Sequence, residues 1–283
     1  MRYVLINDFF KEDLGGGGHS GGAALNDEII YDIFKFHSED IIKVKSSSLT
    51  ESFLEARKDS FFIISNFFHI DSKLIEKIQE LNYVVYAHDY KFVAHTNPAL
   101  YKDFLVPKEE IIFEDFFNKS RMIICQSGLQ QRIYNDNLQN ANTLNFSGNL
   151  WDTESLDLMS KLKNTEKKRV CSVIKSHYPQ KGVPEAIKFC IQKQFDYELI
   201  WSPNHHEFLE KMAQNKALAF YPLTPETCGR MGLEAKMMGI KVFTTELLGA
   251  SHEPWFDKNE EDLISLMRSK HEEIYFTLKG IGG

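Results

Sequence analysis

The sequence predicts an α/β protein built as two parallel-sheet halves, and three observations carry that prediction. Short apolar runs rich in Val, Ile and Phe alternate with stretches of helical period, the sign of parallel strands joined by helices. The alternation is interrupted once, over residues 151–168, by a polar, lysine-rich stretch with helical character. A chain of 283 residues is also long for one core and comfortable for two units of roughly 100 to 150 residues each.

The first series of strands falls at residues 3–7, 41–45, 61–65, 83–87, 122–126 and 143–146. The second falls at 169–174, 197–201, 217–221 and 241–245, with helices near 183–194, 206–215 and 228–238 between them and a last long helix over 260–278. We therefore expect a first unit over 1–150 and a second over 151–259.

Composition excludes several function classes. Hydrophobic residues make up 43% of the chain and charged ones 26%, as in folded soluble proteins and unlike disordered ones. The apolar runs are too short for a membrane span. Residues 1–6 meet Asn7 and Asp8 at once, which predicts a first strand and not a signal peptide, and with it a cytoplasmic protein. Cys125, Cys171, Cys190 and Cys228 show no metal-ligand spacing, which argues against a zinc site and against a disulfide framework. A formal net charge of −7 opposes a long nucleic-acid footprint, because phosphate contacts need clustered Lys and Arg. The cluster Lys161, Lys163, Lys167, Lys168 and Arg169 reads as a solvated linker between the halves.

After the first strand comes Leu14-Gly15-Gly16-Gly17-Gly18-His19-Ser20-Gly21-Gly22, then a helix ending near Lys35. A backbone this free of side chains can approach a ligand closely, which suits a phosphate or a sugar. It is no dinucleotide fingerprint, since Lys43 and Lys45 stand where an acidic ribose partner belongs. Nor is it a P-loop, for no Gly-Lys-Ser or Gly-Lys-Thr follows. The fourth strand ends in Ala87-His88-Asp89-Tyr90-Lys91, which puts His88, Asp89 and Lys91 at the carboxyl end of a parallel strand, where open α/β sheets bind ligands.

In the second half, the strand at 169–174 runs into Lys175-Ser176-His177-Tyr178-Pro179-Gln180-Lys181-Gly182-Val183-Pro184, with Pro184 suited to a first helical turn. Further on, Pro225-Glu226-Thr227-Cys228-Gly229-Arg230-Met231-Gly232-Leu233-Glu234 places two glutamates across a loop-to-helix junction, with seven residues between them. Glu226 precedes the expected helix and Glu234 lies about two turns inside it. Between them, the backbone N–H groups of Cys228, Gly229 and Arg230 face the helix mouth and suit a phosphate.

This arrangement resembles the paired-glutamate signature of retaining glycosyltransferases of the GT-B fold. The resemblance implies two Rossmann-like domains whose parallel sheets face each other across a cleft, an acceptor domain first and a nucleotide-sugar donor domain second, with the helix over 260–283 packing back on the first. It implies that Lys175, Lys181 and the N–H groups at Cys228, Gly229 and Arg230 hold the donor diphosphate, that Glu234 accepts from the ribose, and that Glu226 holds the donor sugar. It gives His88 contact with the transferred sugar, the loop of Gly16, Gly17 and Gly18 the donor, and His19, Asp89 and Lys91 the acceptor. No Asp-X-Asp triplet occurs, so the resemblance implies a UDP-linked co-substrate with neither metal nor further cofactor. The acceptor is expected to be small or a carbohydrate. The loop Asn97-Pro98-Ala99-Leu100-Tyr101-Lys102-Asp103-Phe104 resembles segments of glycosyltransferase-like proteins of bacteriophages and bacteria, which makes hydroxymethylated cytosine in DNA an alternative. A non-catalytic glycan- or nucleotide-binding module is an alternative of another class, and a sugar-phosphate phosphorylase or epimerase a third. Arg230 and Lys236 depart from the family's pattern, standing where its helix is commonly apolar or small.

Overall fold

A computed structural model of the protein describes residues 1–13 and 21–283. Six strands, β1 (Arg2–Asn7), β2 (Asp40–Lys45), β3 (Phe61–Ile64), β4 (Asn82–Tyr86), β5 (Ile123–Cys125) and β6 (Thr143–Asn145), form one sheet in the order β2-β1-β3-β4-β5-β6. Every neighbouring pair in it is parallel. The connecting helices are α1 (Gly22–Phe36), α2 (Glu51–Ala56), α3 (Ser72–Ile78), α4 (Glu114–Lys119) and α5 (Gly128–Asn137).

The second sheet holds β7 (Lys168–Ile174), β8 (Tyr197–Ile200), β9 (Asn215–Ala219) and β10 (Lys241–Phe243) in the order β10-β9-β7-β8, again all parallel. Around it lie α6 (Thr153–Leu162), α7 (Val183–Gln192), α8 (His205–Ala213), α9 (Arg230–Met237) and the long α10 (Glu260–Gly282). The expected α/β class with two parallel sheets is thus observed.

The apolar runs work because both faces of the first sheet are covered. Val4, Ile6, Phe62, Ile64 and Val85 point into one core while Tyr3, Leu5, Phe61, Ile63 and Val84 point into another, the period-two alternation of a strand. Helix starts carry side-chain caps that absorb orphan N–H groups: Ser127 for α5, Asp152 for α6, Asn204 for α8 and Asn259 for α10. Helix α10 serves both sheets. Its Leu263, Ile264 and Met267 join the core of the second, and its Ile274, Tyr275 and Leu278 join one core of the first.

Two local expectations are corrected. Residues 151–168 are no plain solvated linker: Trp151, Leu156 and Met159 are fully buried in the second core, the lysines that follow are exposed at 161 and 168 but half-buried at 163 and 167, and Lys168 opens β7. Helix α9 starts at Arg230, two residues later than expected, because Gly229 takes a left-handed φ of 86°. A side chain there would be strained by that φ and would meet Leu248 Cδ1 at 2.2 Å from its Cβ. Glu234 consequently sits little more than one turn into the helix.

Candidate functional site

Each sheet reverses its strand order once. In the first, the chain leaves β1 to lay β2 on one side and returns to lay β3 on the other; in the second, β8 and β9 flank β7 in the same way. Open parallel sheets bind ligands beyond the carboxyl ends of the strands at such reversals. Lys175 and Lys181 follow β7 and Glu226 follows β9, so all three lie at the reversal of the second sheet.

Lys181 and Glu226 meet there: Lys181 Nζ donates to Glu226 Oε1 at 2.7 Å. The lysine loop is locked in place from behind. Leu223 N–H donates to the Gln180 carbonyl at 2.8 Å, and Gly182, at φ 60°, passes so close to the Tyr221 carbonyl that a Cβ would lie 1.6 Å from its oxygen. Glu226 is anchored by its own backbone, its N–H donating to the Leu247 carbonyl at 2.8 Å. Lys175, directly after β7, is exposed. Among the described residues, no acceptor binds the N–H groups of Cys228, Gly229 or Arg230 at the start of α9, where Cys228 and Gly229 are buried.

Glu234 is turned into the protein. Only 2% exposed, it accepts on Oε1 from the Trp151 indole at 2.8 Å and pairs there with His205 Nε2 at 2.9 Å and Arg230 Nε at 3.5 Å. Burial by itself raises its pKa, but the charge and hydrogen bond of His205, the charge of Arg230 and the Trp151 N–H outweigh burial and hold it down at about 2. Arg230 is equally committed: it donates to the Leu150 carbonyl and to Asn26 Oδ1, and its guanidinium lies 4.6 Å from the centre of the Trp151 ring. The arginine that departs from the family's pattern thereby ties α9 to α1 and to the chain after β6.

His88 belongs to a buried polar network. Its side chain is 5% exposed, with Nε2 at 3.0 Å from Asp27 Oδ1 and Nδ1 at 3.2 Å from Gln126 Nε2. A carboxylate only accepts, so Nε2 carries the proton and the Gln126 amide donates to Nδ1. Asp27 also accepts from Asn7 and from Ser65 Oγ, while Gln126 Oε1 accepts from Asn149 and, at 3.3 Å, from Thr227 Oγ1. The network therefore runs from α1 through the ends of β4 and β5 to the loop that precedes α9.

Asp89 and Lys91 pair with each other at 2.6 Å, and Lys91 also donates to Asn66. Gly16, Gly17, Gly18 and His19 lie outside the described residues. Asp27, Gln126, Trp151 and His205 escaped the sequence reading. Gln126 ends an expected strand, as His88 does, which was the signal available for it.

No protein-family model matches the sequence, and no curated protein matches it. Solved structures do. The catalytic domain of starch synthase IV from Arabidopsis thaliana, bound to ADP and acarbose, superposes with a TM-score of 0.53 at 9% identity, over 100% of this chain and 99% of that one. The chain has the GT-B fold. A GtfA/B complex matches with a TM-score of 0.50 at 11% identity, over 82% of this chain and 59% of that one. The pneumococcal O-GlcNAc transferase GtfA with UDP and GlcNAc matches with a TM-score of 0.46 at 10% identity, and there too the chain spans little more than half, 54%, of its neighbour. Among the described residues, no helix is long and apolar enough to cross a membrane.

Proposed function

We propose that the protein is a glycosyltransferase that moves a sugar from a UDP-linked donor to a hydroxyl acceptor with retention and without a metal ion. The observation that carries this reading is the meeting of Lys181 with Glu226 at the reversal of the second sheet, beside the unbonded N–H groups that open α9. A GT-B scaffold alone would not suffice, because function resides in the site and not in the fold. The starch synthase that shares the fold is bound to a nucleoside diphosphate and a saccharide, the ligand classes this site suits.

In this mechanism, residues 1–150 carry the acceptor and 151–259 the donor. Lys175, Lys181 and the N–H groups of Cys228, Gly229 and Arg230 stabilise the charge that develops on the leaving diphosphate. These groups do the work a metal would do, which is why no metal is invoked. Glu226 turns from Lys181 to the donor sugar's hydroxyls and sets its anomeric carbon. The bond from that carbon to the diphosphate breaks while the acceptor oxygen attacks the same face, and the acceptor's proton passes to the departing phosphate oxygen. Glu234 shapes the ribose wall through Arg230 and His205. His88 holds the end of β4 in place through Asp27 and Gln126 and acts on the donor site by way of Thr227. Incubation with UDP-sugars tests the reading: release of UDP and transfer of sugar are expected. A protein that bound UDP but never turned over any of a panel of UDP-sugars would instead be a binding module.

A further inference from the structure

The first sheet has its own reversal, between β1 and β3, and the donor machinery leaves the side chains there unused. Asp8, just after β1, is buried. Its carboxylate accepts from Ser46 Oγ and from the N–H groups of Phe68 and His69 at 3.2 and 3.3 Å, which pins the turn after β3 to the turn after β1. On the outer side of this junction stand Phe9 and Phe68, 52% and 54% exposed. The His69 ring meets Phe9 edge-on, with centroids 5.4 Å apart, and Lys91 Nζ lies 4.8 Å from the centre of the Phe68 ring. Lys91 in turn holds Asp89 by Oδ1, leaving Oδ2 without a bond among the described residues.

A single exposed aromatic residue is ordinary. Phe68, whose N–H the buried Asp8 carboxylate holds, and Phe9, which follows Asp8 in the chain and meets the His69 ring, stand where a parallel sheet receives ligands, near the half-exposed Asp89 carboxylate, and form a recognition platform. We propose, resting on the glycosyltransferase reading, that this platform is the acceptor subsite and that the acceptor is a neutral carbohydrate. The apolar C–H face of a pyranose ring stacks on Phe9 and Phe68, and a ring hydroxyl donates to Asp89.

Aromatic faces accept nucleobases as readily as sugars, so charge decides between them. A nucleic-acid strand needs free cations for its phosphates. The lysines around this platform are already neutralised: Lys91 by Asp89, Lys43 by Glu12 and Glu28, and Lys45 by Asp13. Lys11 is the exception, a lysine beside Phe10 with no ion pair among the described residues. One cation in a chain of net charge −7 is too few to hold a strand.

The test uses the full chain and calorimetric binding of maltose, cellobiose, N-acetylglucosamine, UDP and an oligonucleotide containing hydroxymethylcytosine. At least one saccharide is expected to bind. Phe9→Ala, Phe68→Ala and Phe68→Leu should each weaken it about tenfold, as the loss of a stacking ring does, while Phe68→Tyr retains it. UDP affinity and melting temperature should not change in any of the four. Saccharide affinity untouched by the Ala and Leu variants would overturn the proposal, as would failure of the whole saccharide panel to bind. Oligonucleotide binding that depends on Phe68 would overturn it too and make DNA the acceptor. Phe68-dependent saccharide binding in a protein that ignores UDP would keep the platform and remove the glycosyltransferase reading.

Discussion

The indole N–H of Trp151 donates to Glu234 Oε1 at 2.8 Å, joining the chain that leaves the first sheet to the helix that frames the proposed donor site. Two more bonds extend the joint. His271 of α10 lies 2.6 Å from the Trp151 carbonyl, and His205 of α8 shares the Glu234 oxygen. A single buried carboxylate thus organises α8, α9 and the entry to α6. Glu234 is a keystone of the second half.

Removing one partner of a buried charge cluster leaves the others unpaired, so Glu234→Ala should cost about 3–5 kcal/mol of unfolding free energy and Glu234→Gln less. The pH dependence follows from a folded-state pKa of about 2. A depressed carboxylate stabilises the fold above its unfolded value near ~4.3, and that contribution is lost as pH falls toward the folded value. Urea unfolding of wild type and Glu234→Gln should therefore differ at pH 7 and converge as the pH is lowered through that window. A constant gap down to the acid limit would show that Glu234 is not the titrating group.

In the proposed mechanism Lys181 exchanges Glu226 for the diphosphate, and this sets the signs of three substitutions. Lys181→Ala and Lys175→Ala should each weaken UDP binding by about 1.5–3 kcal/mol, as for hydrogen bonds to charged groups. Glu226→Gln releases Lys181 from its partner, so UDP should bind as well or better while kcat falls. Isothermal calorimetry and steady-state kinetics separate the two readouts. Weaker UDP binding together with unchanged kcat in Glu226→Gln would reverse the assigned roles.

All ten strands were legible as short apolar runs, some of them buried on both faces, as Val4, Leu5 and Ile6 are in β1, and others half-exposed, as Tyr197 and Leu199 are in β8. The carboxyl ends of β1, β2 and β7 were read at the right residue, and the other seven one or two residues too long, at Ala87 and Gln126 among others, where pairing stops. Helix α5 was not singled out, since its inward face mixes Leu129 and Ile133 with buried Gln130 and Asn137, and amides do not register as core. The site was half legible. Spacing along the chain brought out Glu226 and Glu234, and strand ends brought out Lys175 and His88. The partners that decide what these groups can do lie far off in sequence: Trp151 is 83 residues from Glu234, and Lys181 is 45 from Glu226. The reversal of the second sheet brings Lys181 to Glu226, and the connection from β6 to α6 brings Trp151 to Glu234.

If two lysines and a helix start face the diphosphate, as proposed, transfer should need no divalent ion. Activity in excess chelator is expected to match activity with added magnesium or manganese. Loss of turnover on chelation, restored by either ion, would require a metal in the mechanism and displace Lys175 and Lys181 as the principal counter-charge.

His88 distinguishes positioning from direct contact with the sugar. Its ring nitrogens are occupied by Asp27 and Gln126, and Gln126 continues to Thr227 in the loop that carries Glu226. If the ring acts through that chain, His88→Ala strips a donor from the buried Asp27 carboxylate and should cost about 1–3 kcal/mol of stability. Turnover should fall with it, because the loop before α9 loses its tie to the end of β5. Gln126→Leu, which leaves His88 in place, should slow turnover in the same way while the KM for the donor changes little. Loss of activity in His88→Ala with undiminished stability, and normal kinetics in Gln126→Leu, would instead mean that the imidazole leaves Asp27 and touches the transferred sugar itself.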